Sequence, residues 1–94
     1  MSEIVSVGDL VISTAGRDKG KFFLVVKTES AVAYVVNGKE RKVQNPKKKN
    51  IKHLDRVLVA GYNELAIKIQ KGEPVGNKRL SQLIKAQTQK VQED

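Results

Sequence analysis

Short apolar runs separated by polar turn signals fill the first half of the chain. They lie at residues 10–12, 22–26 and 32–36, and each is shorter than a typical helix. β-Branched and aromatic residues are frequent in the second and third runs, which favours strands. Asn37-Gly38 follows the third run, and this dipeptide is a strong hairpin signal because a type I′ turn needs two positive φ angles.

The hairpin signal predicts that the chain returns as a strand along residues 39–43. Asn45-Pro46 would end that strand, because proline has no amide hydrogen to donate to a ladder. Residues 51–54 are a candidate for a last short strand. Several short strands with closely spaced turns are typical of a small all-β barrel.

The apolar period changes to a helical one in the second half. A first helix, started by Asn63 and ended by Gly72, is predicted from the spacing of Tyr62, Leu65, Ala66 and Ile69. Residues 66–69 also alternate as a strand would. A second helix over 78–91, with Asn77 as its N-cap, is predicted from the stripe of Leu80, Leu83, Ile84, Gln87 and Val91.

Residues 55–62 carry no decisive pattern. Leu58 and Val59 either extend the sheet or pack under the helices. Fold class is therefore predicted as mainly β, with two short C-terminal helices.

Charge is concentrated in the middle of the chain. The 94 residues include 18 Lys and Arg against 10 Asp and Glu, a net charge of +8. Residues 17–52 alone hold eleven of these cations against Asp18, Glu29 and Glu40. Such a concentration indicates a polyanionic partner, nucleic acid above all. A basic surface that serves only solubility is the alternative, and the three acids are expected to neutralise neighbouring cations.

Composition argues against most catalytic chemistry. The chain has no cysteine and one histidine, His53, and no paired carboxylates stand out. We therefore expect no enzyme activity, no cofactor, no metal site and no small-molecule substrate. The N-terminus lacks the features of a signal peptide, and no apolar run approaches the length of a membrane span. A soluble, cytoplasmic protein with no membrane partner is expected.

The stretch VGDLVISTAGRDKGKFFLVV, residues 7–26, resembles a KOW motif: two apolar strands around a basic loop with an obligatory glycine, here Gly20. The stretch VVNGKERKVQNPKKKNIKHL, residues 35–54, is similar to the equivalent part of L14e-type ribosomal proteins. More closely, the chain resembles the small KOW-containing RNA-binding proteins of bacteria. The likeness covers residues 5–54 well and residues 55–94 weakly.

The resemblance implies an SH3-like KOW barrel, which we place at residues 3–57. The helical spacing after it predicts a helical extension at 58–94 packed on the barrel. The resemblance also implies a non-catalytic RNA-binding protein of translation, either ribosomal or ribosome-associated. Its expected partner is large-subunit rRNA, with ribosomal proteins as further candidate partners. The long basic tail of many ribosomal KOW proteins is not found in this sequence. Both a structural ribosomal protein and a ribosome-associated factor therefore stay open as roles. The RNA-binding residues expected from the KOW loop and the basic segment at 39–52 are Arg17, Lys19, Gly20, Lys21, Lys39, Arg41, Lys42, Lys47, Lys48, Lys49 and Lys52.

The basic loop at 16–21 has physical features that suit phosphate. Gly16 and Gly20 can adopt positive φ and bring backbone N–H groups close to an anion. An extended loop would project Arg17, Lys19 and Lys21 to one side. It is not a nucleotide-binding P-loop, because only three residues separate the glycines and no hydroxyl follows Lys21.

One further expectation concerns the adjacent aromatic residues Phe22 and Phe23. The β pleat sends Phe22 and Phe23 to opposite faces, so that one is core and the other is a candidate platform for stacking an unpaired base.

The alternative function is a protein-interaction KOW module accessory to translation or transcription. That function would use the apolar helix stripe or an exposed sheet face.

Overall fold

A computed structural model of the chain describes residues 5–59 and 61–92. A five-stranded antiparallel sheet with the order β4-β3-β2-β1-β5 is followed by two helices. This confirms the predicted small β-rich domain with two C-terminal helices. The elements are β1 (Leu10–Ser13), β2 (Phe22–Glu29), β3 (Val32–Val36), β4 (Lys47–Asn50), a 3-10 helix (Ile51–His53), β5 (Leu54–Leu58), α1 (Asn63–Gln70) and α2 (Asn77–Gln92).

The connection between β4 and β5 shows that the sheet is strongly curled. These strands form opposite edges of the sheet, which in a flat sheet would lie about 19 Å apart. Only the 3-10 helix Ile51–His53 joins them, and such a link advances about 8 Å from one strand to the next. No β4–β5 ladder is present among the described residues, so the sheet is curled but not closed.

The strand pleat gives the sheet two apolar faces. Val11 pairs with Phe23, and the neighbouring pair Leu10 and Leu24 points to the opposite face. The inner cluster, as far as the described residues show it, consists of Val5, Val11, Phe23, Val25, Ala33, Val35 and Leu54, with Ile51 of the 3-10 helix packed against it. The outer cluster joins sheet to helices and consists of Leu10, Leu24, Val26, Val36, Val43, Ala66, Ile69, Leu80 and Ile84. Both faces of the central strands are therefore buried.

The first residue of each helix packs against a glycine from the strand-forming half of the chain. Gly8 has φ of 94°, and a Cβ built there would lie 2.8 Å from the backbone nitrogen of Asn63 in α1. Gly38 has φ of 79°, and a Cβ there would overlap the carbonyl oxygen of Asn77 in α2. The helices approach this closely because neither glycine carries a side chain.

The expected hairpin at Asn37-Gly38 is wrong, and so is the return strand at residues 39–43. The amides of Asn37 and Gly38 both donate to the Arg41 carbonyl, at 2.8 and 2.9 Å, so the segment curls into a turn. The strand that pairs with β3 is β4, several residues later. The positive φ of Gly38 serves this turn and the docking of α2, not a two-residue hairpin.

Three smaller expectations also change. Residues 51–53 form a 3-10 helix, and the strand starts only at Leu54. Tyr62 takes the N-cap position of α1, and Asn63 is its first helical residue. Asn77 is likewise the first residue of α2, and its Oδ1 accepts a hydrogen bond from the Val43 amide at 2.8 Å. The predicted outer limits at residues 3 and 94 lie outside the described residues.

Neither described helix combines the length and apolar character needed to cross a membrane.

Replacing Gly38 with alanine should lower the free energy of unfolding by more than 2 kcal/mol, because about 1 kcal/mol of backbone strain adds to a displacement of α2 costing about 1–3 kcal/mol. Gly20→Ala is the matched control: Gly20 has φ of 88°, but a Cβ there meets nothing within 4 Å. It should cost only the strain, about 1 kcal/mol. Urea unfolding followed by circular dichroism measures both, and equal losses would show that contact with α2 does not require Gly38.

Candidate nucleic-acid interface

A buried carboxylate lies at the centre of the basic part of the chain. Asp18, in the turn between β1 and β2, is buried. Its Oδ2 lies 2.6 Å from the Nζ of Lys47 and 3.5 Å from the Nζ of Lys49. Lys49 also donates to the Ser13 Oγ at 2.9 Å, and its side chain is only 9% exposed. Two of the lysines expected to face RNA are therefore paired with Asp18: the Lys49 side chain is almost fully buried, whereas that of Lys47 is half-buried.

The strand geometry of β4 explains this arrangement. Lys47 pairs with Val35 and Lys49 with Ala33, so both lysines share the inner face of the sheet. Lys48 pairs with Tyr34 on the opposite face and is exposed. A run of three lysines in a strand thus divides into two inward side chains and one outward side chain.

The Asp18 site favours the ionised carboxylate. The hydrogen bond from Lys47 is the largest cause that lowers the pKa of Asp18, and the charge of Lys49 adds to it. Burial acts in the opposite direction and does not overcome these effects. At neutral pH the site therefore contains a carboxylate between two ammonium groups.

The loop around Asp18 is a tight turn and not an extended segment. The Gly20 amide donates to the Ser13 carbonyl at 2.8 Å, and the Lys21 amide donates to the Asp18 carbonyl at 2.8 Å. The N–H of Gly20 is thus used within the loop. Arg17 and Lys19, the two chain neighbours of Asp18, are exposed.

A second turn lies beside this loop. The Asn37 Oδ1 accepts hydrogen bonds from the amides of Lys39 and Arg41, each at 3.0 Å. The Asn37 Nδ2 donates to Glu40 at 2.8 Å and is the largest cause that lowers the pKa of Glu40. The other Glu40 oxygen lies 3.9 Å from the Lys21 Nζ. This exposed ion pair places the turn at 37–42 next to the β1–β2 loop.

The 3-10 helix is the fourth segment of the site. The Thr14 amide donates to the His53 carbonyl at 2.9 Å, so this helix touches the start of the β1–β2 loop. Lys52, in the same helix, is exposed. The turn at 37–42 and the continuous segment of β4 and the 3-10 helix therefore both contact the β1–β2 loop.

We call the cations of these segments that form no ion pair with a described acidic residue the basic surface. Six of its members are exposed and one, Arg41, is half-buried. The members are Arg17, Lys19, Lys39, Arg41, Lys42, Lys48 and Lys52.

Of the eleven residues singled out in the sequence, the other four have internal partners. These are Gly20, Lys21, Lys47 and Lys49. The expectation that the acids neutralise nearby cations is confirmed, since Glu29 also lies 3.4 Å from Lys27. Sequence reasoning missed the buried position of Asp18 and the contribution of Ser13. The available signal was the alternation that a strand imposes on the lysine run.

The aromatic side chains are turned into the protein. Phe23 is fully buried in the inner cluster. Phe22, Tyr34 and Tyr62 are half-buried and pack against the outer cluster. Lys27 lies over the Tyr34 ring, with its Nζ 5.5 Å from the centroid. None of the four aromatic residues is exposed, so Phe22 is a poor candidate for the expected stacking platform.

Comparison with known proteins adds no relative. A scan against protein-family models finds no match for the chain. A search of curated proteins finds no significant match either. Function is therefore inferred from the geometry and charge described above.

Asp18→Asn should lower the free energy of unfolding at pH 7 by about 1–3 kcal/mol, because it leaves Lys49 buried without its counter-ion. The lowered pKa of Asp18 in the fold means that its contribution is fully present above about pH 4. This contribution is lost as the pH falls through the folded-state pKa. The difference between the wild type and the variant should therefore shrink in acid.

Urea unfolding at steps from pH 7 to pH 2 measures this effect. Asp55→Asn is the control, since Asp55 is an exposed carboxylate on β5, and it should change stability by less than about 0.5 kcal/mol. A difference for Asp18→Asn that stays constant with pH would contradict the ion-pair explanation.

Proposed function

We propose that the protein is a non-catalytic RNA-binding protein whose basic surface contacts the phosphates of structured RNA. The observation that carries this proposal is that seven cations, none paired with a described acidic residue, lie on the β1–β2 loop and on the segments that contact it. Neutralising phosphates and releasing their counterions supplies most of the affinity in such complexes. Lysine contacts of this kind position a protein on the backbone and carry little sequence information.

The acids of this region support binding over mere solubility. Asp18 is committed to Lys47 and Lys49, and Glu40 to Asn37 and Lys21. Their ion pairs are therefore with cations outside the basic surface, and of the cations in that surface Lys39 lies close enough for its charge to act on Glu40. On α1, by contrast, Glu64 and Lys68 are both exposed along the same helix. A mixed face of that kind is what solubility alone requires.

For the fold, we propose that the curled sheet is an SH3-like barrel of the KOW type, open between β4 and β5. The sequence resemblance over residues 5–54 and the strand order support this assignment. With it come the further parts of the proposal: a cytoplasmic protein of the translation machinery, ribosomal or ribosome-associated, with large-subunit rRNA as the first candidate partner. Ribosomal proteins would be neighbours on that RNA.

The alternative, a protein-interaction module, needs an apolar working surface. The stripe of α2 is used internally, because Leu80 and Ile84 are buried in the outer cluster. Among the described residues, the large hydrophobic side chains that remain exposed are Val59 and Ile67. The surface therefore favours a polyanion over an apolar protein partner.

The double variant Arg17→Gln/Lys19→Gln should weaken binding to purified large-subunit rRNA. The slope of log K against log salt should become shallower by about 1.5, because each lost phosphate contact removes about 0.7–0.9. The matched control is Lys68→Gln/Lys71→Gln, which removes the same charge from exposed positions at the end of α1. Fluorescence anisotropy from about 50 to 300 mM salt measures both, and equal slopes for the two variants would refute the assigned surface.

The proposed cellular partner predicts co-sedimentation with ribosomes. Lysate run through a sucrose gradient should show the protein with the large subunit at low salt. Retention at high salt would identify an integral component, whereas release would identify an associated factor whose contacts are mainly electrostatic. Absence from ribosomal fractions at both salts would contradict the ribosomal part of the proposal.

A further inference from the structure

The exposed face of α2 is a second basic surface. Lys78, Gln82, Lys85 and Gln89 are all exposed, and their spacing places them along one line of the helix. Arg79 is exposed beside this line. The apolar stripe with Leu80 and Ile84 lies on the opposite side, buried against the sheet.

Acidic residues are absent from the sequence of α2. Its sixteen residues, NKRLSQLIKAQTQKVQ, include lysine, arginine and amide side chains but no aspartate or glutamate. A helix stabilised for solubility usually alternates the two signs of charge along its exposed face. This face instead offers cations and amide donors at a regular spacing, with Lys78 and Lys85 about 10 Å apart along the axis.

The α2 face adjoins the basic surface. The Asn77 side chain accepts from the Val43 amide at 2.8 Å and donates to the Gln44 Oε1 at 3.0 Å. The first turn of α2 also lies against Gly38. Because residues 38–44 carry Lys39, Arg41 and Lys42, the cations of the basic surface continue directly to the start of α2. One polyanion of sufficient length can contact both.

The lack of exposed aromatic rings indicates the form of the RNA. Single-strand binders usually stack bases on exposed aromatic side chains, and the four aromatic residues here are buried or half-buried. Base-paired RNA needs no such platform, since it presents phosphates and 2′-hydroxyl groups across a wide, shallow minor groove. Lysine ammonium groups and glutamine amides suit those acceptors.

We propose that the RNA partner is base-paired, and that the exposed face of α2 is a second contact to the same duplex that the basic surface binds. This inference rests on the proposed RNA-binding function and specifies the substrate of the same site. The protein reads duplex shape through phosphates and 2′-hydroxyl groups along two adjoining surfaces.

The test compares three labelled probes by fluorescence anisotropy: a 20-base-pair RNA duplex, a 20-nucleotide single-stranded RNA and a DNA duplex of the same sequence. Wild-type protein should bind the RNA duplex at least about tenfold more tightly than either other probe at 150 mM salt. Equal or tighter binding of the single strand or of duplex DNA would overturn the proposal. Failure to bind any RNA would instead refute the proposed function itself.

The contribution of α2 is tested with Lys78→Gln/Lys85→Gln. This variant should lower the salt slope for the RNA duplex by about 1–2, while leaving binding of the single strand within about twofold. The control Lys68→Gln/Lys71→Gln removes the same charge from the C-terminal end of α1 and its C-cap, and it should leave the duplex slope unchanged. Glutamine keeps helix propensity close to that of lysine, and thermal melts of both variants should match the wild type.

The charge reversal Lys78→Glu/Lys85→Glu should enlarge the loss for the RNA duplex. An α2 variant that loses no more duplex affinity than the α1 control, while wild-type protein binds the duplex, would exclude α2 from the interface and leave the basic surface as the sole contact.

Discussion

The ion pair of Asp18 with Lys47 and Lys49 is the interaction on which the arrangement of the basic region depends. It joins the β1–β2 loop to β4, which is an open edge of the sheet formed by the described residues. Removing charges from water is costly, so a buried ion pair adds little net stability compared with an apolar contact. Its contribution is geometric: the carboxylate sets the position of the loop relative to β4, and breaking it would leave Lys49 buried alone.

This geometry also determines which cations reach the solvent. The strand alternation that sends Lys47 and Lys49 to Asp18 sends Lys48 outward. The tight turn that buries Asp18 leaves its neighbours Arg17 and Lys19 exposed. The strand alternation and the tight turn together pair two lysines with Asp18 and leave three other cations, Arg17, Lys19 and Lys48, exposed. Binding chemistry and fold are coupled here, since a shift of the loop would change both the internal and the external charges.

The two helices further separate the buried apolar surface from the exposed basic surface. They cover the outer apolar face of the sheet, and they approach it closely because Gly8 and Gly38 carry no side chain. Docking of α2 buries its apolar stripe and leaves a face of lysines and amides beside the turn at 37–42. A surface that would otherwise suit an apolar partner becomes part of the internal core. The molecule is left with polar, positively charged surfaces as its most distinctive feature.

The sequence by itself determined the features that depend on local pattern. The runs at 10–12, 22–26 and 32–36 predicted three strands, the helical spacing of the second half predicted two helices, and residue counts located the positive charge. These features follow from periodicity and composition, which are visible over a few neighbouring residues. The SH3-like barrel and the RNA partner were suggested by resemblance, and they remain proposals.

Only the tertiary structure decided how distant residues are used. Asn37-Gly38 has the local pattern of a hairpin, but α2, some forty residues later, docks on Gly38, and the strand that pairs with β3 is β4. The lysine run looks uniformly exposed until pairing with β3 fixes which side chains turn inward to Asp18, 29 residues away from Lys47. The pleat predicted that Phe22 and Phe23 face opposite ways, but not that the helices would cover the Phe22 side. In each case the outcome depends on a contact between segments remote in sequence, and local propensity carries no information about such contacts.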